Sequence, residues 1–109
     1  MEGSLKGQVV IVPFPFSDLS GSKRRPALVI ADPGGSDVVL CQITSKAKYD
    51  GMEVSLFAAD FVTGGLPVAS NIRPNKLFTA DRATLVGVAG TINSVRYQEV
   101  VRNIVALIS

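Results

Sequence analysis

Two short polar stretches of this chain hold residue types that bind phosphate. They comprise Lys23, Arg24, Arg25, Thr44, Ser45 and Lys46. A guanidinium offers a planar fork of donors that matches phosphate oxygens, and a hydroxyl adds one more donor. Fixed donors of this kind also stabilise the extra negative charge of a phosphorane transition state. These residue types predict a phosphate site, and the alternative is that the cations only keep a strand edge soluble.

The two stretches meet if the residues between them form a β-hairpin. Residues 27–31 and 38–43 are nearly continuous apolar runs, typical of buried strands, and the sequence DPGGSD between them is a strong turn signal. A turn centred on the Gly-Gly pair sets Arg25 opposite Thr44. Facing side chains have Cβ atoms about 5 Å apart. The register therefore predicts that a guanidinium and a hydroxyl converge where the hairpin opens into two loops.

Other residues near this hairpin have two possible roles each. Phe14 and Phe16 share parity on a segment stiffened by prolines, so they either stack on bases or pin a loop to the core. Arg73 is followed by a proline, which restricts it to an extended backbone. It supplies a second phosphate contact or a surface ion pair. Cys41 has odd parity relative to Thr44, which predicts a core position on the other sheet face.

The composition excludes several kinds of catalysis. Among 109 residues there is no His and a single Cys, which removes imidazole acid–base chemistry and an internal disulfide. The nine Asp and Glu residues are scattered, whereas metal-dependent nucleases need clustered carboxylates or His. We therefore expect neither a metal nor a cofactor. A metal-free route exists for RNA alone, because the ribose 2′-OH can attack its own phosphate.

A mainly β fold with a C-terminal helix is predicted around these residues. The predicted strands cover residues 9–12, 27–31, 38–43, 52–56, 70–72 with 77–79, and 86–90. Residues 13–25 are expected to form a long loop because prolines cannot occupy a central strand. Residues 59–67 look irregular or briefly helical. Such a set of short strands favours a small, strongly bent β-barrel, a fold that often hosts nucleic-acid sites.

The tail of the chain changes to helical periodicity. Val101, Ile104, Val105 and Ile108 recur at helical spacing and predict the buried stripe. Asn93 or Ser94 is the expected N-cap.

Size and charge predict the organisation of the protein. A chain of 109 residues is expected to form one domain, residues 1–109. Charged residues make up 18%, below the roughly 25% of average soluble domains, which favours a homodimer that hides apolar surface. No apolar segment approaches the ~18 residues of a membrane span, and no signal peptide is evident, so a cytoplasmic location is expected.

Four stretches carry a family resemblance. In order, KGQVVIVPFPFSDLSGSKRRPALVI, CQITSK, SNIRPNKLFTADRATL and GVAGTIN resemble the MazF/PemK toxins of bacterial toxin–antitoxin modules. The resemblance implies an SH3-like barrel, a homodimer, and a metal-independent endoribonuclease that cleaves single-stranded mRNA at specific sequences and halts growth. It also implies a cognate antitoxin that neutralises the toxin and a complex of the two that binds DNA.

The resemblance assigns roles to individual residues. The family's catalytic pair, an Arg before a Pro and a Thr that ends a strand, matches Arg25 and Thr44. The RNA-binding positions implied are Phe16, Lys23, Arg24, Ser45, Lys46 and Arg73. Family members often have an acid at the position of Asn75, and some use a His that this chain lacks. The general base is therefore Asp18 or a residue that the sequence does not identify.

Two other functions fit the same sequence. Related toxins on this barrel bind DNA gyrase without cleaving RNA, although they lack the Arg-Pro and Thr pair. A nucleic-acid-binding barrel without catalysis is the other, and the amide at Asn75 favours it. The RNA sequence that is recognised depends on the loops at 13–24, 44–51 and 59–67.

Overall fold

Over residues 4–14, 23–46 and 51–109, which the computed structural model describes, seven strands form one antiparallel sheet and an α-helix follows them. The elements are β1 (Gln8–Phe14), β2 (Lys23–Ala31), β3 (Asp37–Thr44), β4 (Val54–Leu56), β5 (Phe61–Gly64), β6 (Ser70–Asp81), β7 (Gly87–Ile92) and α1 (Ser94–Ile108). Their order in the sheet is β4-β6-β3-β2-β1-β7-β5. The sheet curls into a half-barrel, and the predicted fold class is confirmed.

The curled sheet buries apolar side chains on both faces. The face under α1 carries a cluster that includes Val9, Leu28, Cys41, Ile43, Ile72, Val100 and Ile104. The other face carries Val10, Val12, Ala27, Val29, Val38 and Leu40. Successive side chains of a strand point to opposite faces, so a strand buried on both sides must be apolar throughout. This explains the continuous apolar runs of β2 and β3.

Beyond a register shift between Val29 and Ala31, the hairpin of β2 and β3 has the predicted register. The last pair of the ladder is Ala27 with Gln42, and continuing this register by two residues sets Arg25 opposite Thr44. Gly34 has a φ of +102° in the connecting turn, a conformation that favours glycine. The turn and the register shift together determine which side chains meet at the far end of the hairpin.

The basic residues lie on a strand, not on a loop. The prediction of a loop over residues 13–25 is wrong at both ends, because Phe14 pairs with Lys23 in the β1–β2 ladder. Pro13 fits into β1 because the ladder between β1 and β7 ends at Ile11. Beyond Ile11, β2 is the one described strand that pairs with β1. A proline, which has no N–H to donate, is tolerated at such a position.

One strand was not predicted, and one predicted strand contains a bulge. Within residues 59–67 the structure has β5, which pairs with β7. The segments at 70–72 and 77–79 both belong to β6, and residues 74–76 form a bulge between them. Pro74 explains the bulge, since proline cannot donate to a ladder and is tolerated where pairing is interrupted.

The helix begins as predicted and buries a different stripe. The Asn93 side chain accepts a hydrogen bond from the backbone N–H of Arg96 at 2.8 Å, which is N-cap geometry. Val100 and Ile104 are buried, whereas Val105 and Ile108, expected in the core, are 52% and 72% exposed. No helix in the described part of the chain has the length and apolar character needed to cross a membrane.

The shift of the stripe has a local cause. Tyr97 packs against the core cluster and donates a hydrogen bond from its hydroxyl to the carbonyl of Ile30 at 2.7 Å. Tyr97, Val100 and Ile104 follow the spacing of one helical ridge. This contact turns Val105 and Ile108 away from the sheet.

A carboxylate and a guanidinium join two turns at one end of the sheet. The side chain of Asp32 is 3% exposed. Its carboxylate accepts hydrogen bonds from Arg82, from the N–H of Leu5 at 2.8 Å and from the N–H of Gly34 at 3.2 Å. Arg82 also donates to the carbonyl of Gly35 at 2.8 Å. The hydrogen bonds from Arg82, and then that from Leu5, hold the pKa of the Asp32 carboxyl well below its usual range.

Asp32→Asn is expected to lower the melting temperature at neutral pH and to weaken its dependence on acid. Because the pKa of Asp32 is depressed in the folded state, its stabilisation is present above the unfolded pKa of about 4 and is lost as the pH falls further. Thermal melts between pH 7 and pH 2 measure this. The exposed Asp37→Asn serves as the control and should melt as the wild type does. An identical acid dependence in wild type and Asp32→Asn would contradict the assignment.

Candidate functional site

An open cleft of about 470 Å³ lies where β2 begins and β3 ends. Five of the residues predicted to bind phosphate line it, namely Lys23, Arg24, Arg25, Thr44 and Ser45. Four of them come from β2 and β3, and Ser45 directly follows β3. The convergence of the two basic stretches, inferred from the hairpin register, is thus present in the structure.

Arg25 and Thr44 occupy corresponding places on neighbouring strands. Arg25 faces Val12 on β1, and the β2–β3 register sets it opposite Thr44. Both side chains are half-buried. Alternation along β2 places Arg25 on the face of Ala27, which is the face opposite α1. The flanking strands hold the backbone of both residues, so little conformational freedom has to be lost on binding.

The hydroxyl of Thr44 also organises the start of the next loop. Its Oγ1 accepts a hydrogen bond from the backbone N–H of Lys46 at 3.1 Å. A hydroxyl that accepts in this way still has its own proton to donate. Thr44 can therefore donate to an anionic oxygen while its position is held by the chain.

The electrostatics of the cleft favour an anion. Lys23 and Arg24 are exposed at one side of it, and Arg25 lies next to them. None of the described residues that line the cleft is a carboxylate. Adjacent cations in a concave site raise the local concentration of anions.

Apolar residues line the cleft as well. They are Ile11, Pro26, Ile43, Leu66, Pro67 and Val68, and Ser70 completes the lining. The segment 66–68 follows β5 and reaches the cleft because β5 pairs with β7 at the far edge of the sheet. The sequence predicts that part of this loop influences recognition, but no sequence pattern indicates an apolar wall. The missing signal was the pairing of β5, which no local pattern indicates.

The remaining predicted site residues lie in different surroundings. Lys46 is exposed and directly follows Ser45. Arg73 is 9% exposed, faces Gln42 in the ladder and does not line the cleft. Phe16 and the proposed base Asp18 fall outside the described residues. Asn75 lies exposed in the bulge of β6.

Cys41 takes no part in the cleft. Its side chain is fully buried in the cluster under α1, on the face predicted from its parity. Burial raises the pKa of its thiol to about 12, so the sulfur is protonated at neutral pH and unreactive. No group of three or more His, Cys, Asp or Glu side chains that could hold a metal ion occurs among the described residues.

A curled antiparallel sheet with one C-terminal helix is the fold of MazF-type toxins, and the comparisons with known proteins agree. A family model described as PemK-like, MazF-like toxin of type II toxin-antitoxin system matches residues 5–108. The chain belongs to this family. The resemblance found in the sequence is thereby confirmed. A comparison with curated proteins gives no match.

Several solved structures have the same fold. MazF in a MazE–MazF complex from Deinococcus radiodurans is 21% identical, with a TM-score of 0.76 over 99% of this chain and 98% of that chain. A mycobacterial endoribonuclease in complex with its cognate antitoxin is 18% identical, with a TM-score of 0.74 over 95% of this chain and 93% of that chain. The Mycobacterium tuberculosis toxin MazF-mt6 is 18% identical, with a TM-score of 0.71 over 89% and 91%. At this level of identity the similarity defines the fold.

Proposed function

We propose that this toxin is a cytoplasmic endoribonuclease that cleaves single-stranded mRNA at specific sequences without a metal ion. The observation that carries the proposal is the cleft in which Arg25 and Thr44 lie beside Lys23 and Arg24. Family membership and solved relatives that are endoribonucleases support it. The absence of a metal-ligating cluster in the described ranges supports the metal-free route.

The proposed chemistry is an attack within the RNA strand. The 2′-oxygen forms a bond to the adjacent phosphorus and gives up its proton to a base. The bond from phosphorus to the 5′-oxygen of the next nucleotide breaks, and that oxygen takes up a proton. The products are a 2′,3′-cyclic phosphate and a 5′-OH, and DNA is excluded because it lacks the 2′-OH.

Arg25 and Thr44 have different roles in this step. The guanidinium of Arg25 holds the non-bridging oxygens and stabilises the charge of the phosphorane. Thr44 donates its hydroxyl proton to one of these oxygens. A guanidinium has a pKa above 12 and makes a poor base at neutral pH. The chain has no His, so the base in this proposal is either Asp18 or a residue that the sequence does not identify.

The surrounding cations bind the strand on either side of the cut. Lys23, Arg24 and Ser45 line the cleft and can hold neighbouring phosphates, and the exposed Lys46 extends this surface. Such contacts make binding salt-dependent. Phe16 is proposed as a stacking contact. Arg73 is largely buried. Within this proposal its effect on RNA binding is therefore indirect, through the position of β6.

Two protein partners complete the proposal. A cognate antitoxin binds and neutralises the toxin, and the joint complex binds DNA. The solved complex of a mycobacterial endoribonuclease with its cognate antitoxin and the MazE–MazF complex from Deinococcus radiodurans support such a partner. The toxin itself forms a homodimer. Exposed apolar side chains on α1 support an interface between copies, namely Val95, Val105, Leu107 and Ile108.

Cleavage of a long single-stranded RNA in excess EDTA tests the proposal. We expect discrete fragments with 5′-OH ends, because neither attack nor departure requires a metal. An RNA with a single 2′-deoxyribose at the cut nucleotide should stay intact at that position and be cut elsewhere. Activity that appears only with added Mg²⁺, or that cuts the 2′-deoxy position, would contradict the mechanism.

A second candidate is a nucleic-acid-binding toxin without cleavage. The amide of Asn75, at a position where related toxins often have an acid, favours it. The same assay separates the two, because this candidate leaves RNA intact and still binds it with strong salt dependence.

A further inference from the structure

Two segments that line the cleft differ in the ligand groups that they can bind. Residues 23–25 suit a phosphate, whereas residues 66–68 offer aliphatic surface. A phosphate against that surface would lose its hydration without gaining hydrogen bonds. A nucleobase has two apolar faces and gains from burying one of them. The volume of about 470 Å³ lies in the range of small-molecule sites and exceeds what a phosphate alone needs.

The apolar segment of residues 66–68 is held in place at its start by a close approach of two backbones. Gly64, with a φ of +69°, faces Gly90 in the β5–β7 ladder. A Cβ atom at Gly64 would lie 2.1 Å from the carbonyl oxygen of Ala89, and one at Gly90 would lie 2.4 Å from that of Thr63. The N–H of Gly65 donates to the Ala89 carbonyl at 3.0 Å. The segment 66–68 thus starts from a fixed point.

The other end of the segment 66–68 is fixed as well. The hydroxyl of Ser70 donates to the carbonyl of Val68 at 3.1 Å, and Pro67 has a restricted φ. Val68 is nevertheless 57% exposed, although it lies in the cleft. An apolar side chain held in a concave site and left accessible is available to a ligand.

We propose that residues 66–68 form a nucleobase-binding wall, which receives the base of a nucleotide adjoining the phosphate held by Arg25. The proposal rests on the proposed cleavage of RNA and adds a determinant of its sequence specificity. A phosphate and the base of the adjoining nucleotide are joined through one ribose. A phosphate bound by Arg25 therefore brings a base into the cleft that residues 66–68 also line. The wall distinguishes bases by shape and contact area. Val68 is the residue whose apolar surface the base covers.

Val68→Ser tests the wall, and Val62→Ser is the matched control. Val62 is 66% exposed on β5 and does not line the cleft. Each protein is given a pool of RNAs of random sequence, and the 5′-OH ends are sequenced. We expect Val68→Ser to flatten the base preference at one position next to the cut and to raise KM about fivefold to tenfold. Its kcat at saturating RNA should stay within about twofold, and Val62→Ser should match the wild type.

The possible outcomes separate this proposal from the proposed function. A wild type that cuts RNA, with a Val68→Ser variant of unchanged preference and KM, overturns the wall and leaves the ribonuclease standing. A wild type that does not cut overturns both. Val68→Leu is a second variant that keeps the wall apolar and changes its shape. It should alter the base preference while its melting temperature stays close to that of the wild type.

Discussion

Arg25→Ala is expected to lower the rate of RNA cleavage by at least about a hundredfold, the usual cost of removing one preorganised donor to a transition state. Arg25 lines the cleft together with Thr44, and the β2–β3 register, continued beyond Ala27, sets the two residues opposite each other. Arg25→Lys keeps the charge and loses the planar fork, and it should recover only part of the rate. Single-turnover cleavage of a labelled RNA measures this.

Arg102→Ala is the matched control for this prediction. Arg102 is exposed on α1 and outside the cleft, so its removal should leave the rate unchanged. Thr44→Ala should lose about tenfold or more, and Thr44→Ser should regain much of it because the hydroxyl is kept. Cleavage by Arg25→Ala at the wild-type rate would remove Arg25 from the mechanism.

Gly90→Ala is expected to destabilise the protein strongly. Its Cβ would lie 2.4 Å from the Thr63 carbonyl oxygen and 2.9 Å from the Gly65 nitrogen, both of them backbone atoms that cannot rotate away. β5 would have to move off β7, at a cost of about 1–3 kcal/mol or more. A loss of this size lowers the melting temperature by roughly 4–8 °C per kcal/mol in a domain of about 100 residues. Thermal unfolding followed by circular dichroism measures it.

Gly87→Ala provides the comparison on the same strand. A Cβ at Gly87 would have no atom within 4 Å, and its φ is not positive. This variant should melt within a few degrees of the wild type. Equal melting temperatures for Gly90→Ala and Gly87→Ala would show that the two strands are not in close contact.

The parts of the site that could be predicted are those that depend on local pairing. The turn signal between two apolar runs predicted the register that, when continued, sets Arg25 opposite Thr44, although a register shift between Val29 and Ala31 separates these residues from the turn. The apolar wall could not be predicted in this way. It depends on Gly64 meeting Gly90, a contact between strands that are distant in sequence and whose pairing leaves no periodic pattern.

The helix and the ion pair also depend on contacts between residues that are distant in the sequence. The periodicity of α1 predicted its extent, but Tyr97 decided which stripe is buried. Asp32 and Arg82 are 50 residues apart, and the sequence shows each of them only as a charge next to a turn. Tertiary packing, not local propensity, selects among faces and partners that are equivalent in the sequence.

The ion pair of Asp32 and Arg82 has a consequence for how the sequence of this protein can change. It joins the turns at one end of the β2–β3 hairpin, and the cleft lies at the other end. The residues that join these turns are thereby separated in space from the residues that line the cleft. Under the proposed function, substitutions around the cleft that leave this ion pair intact are expected to alter the preferred RNA sequence at little cost in stability. The same scaffold can in this way evolve toxins with different targets.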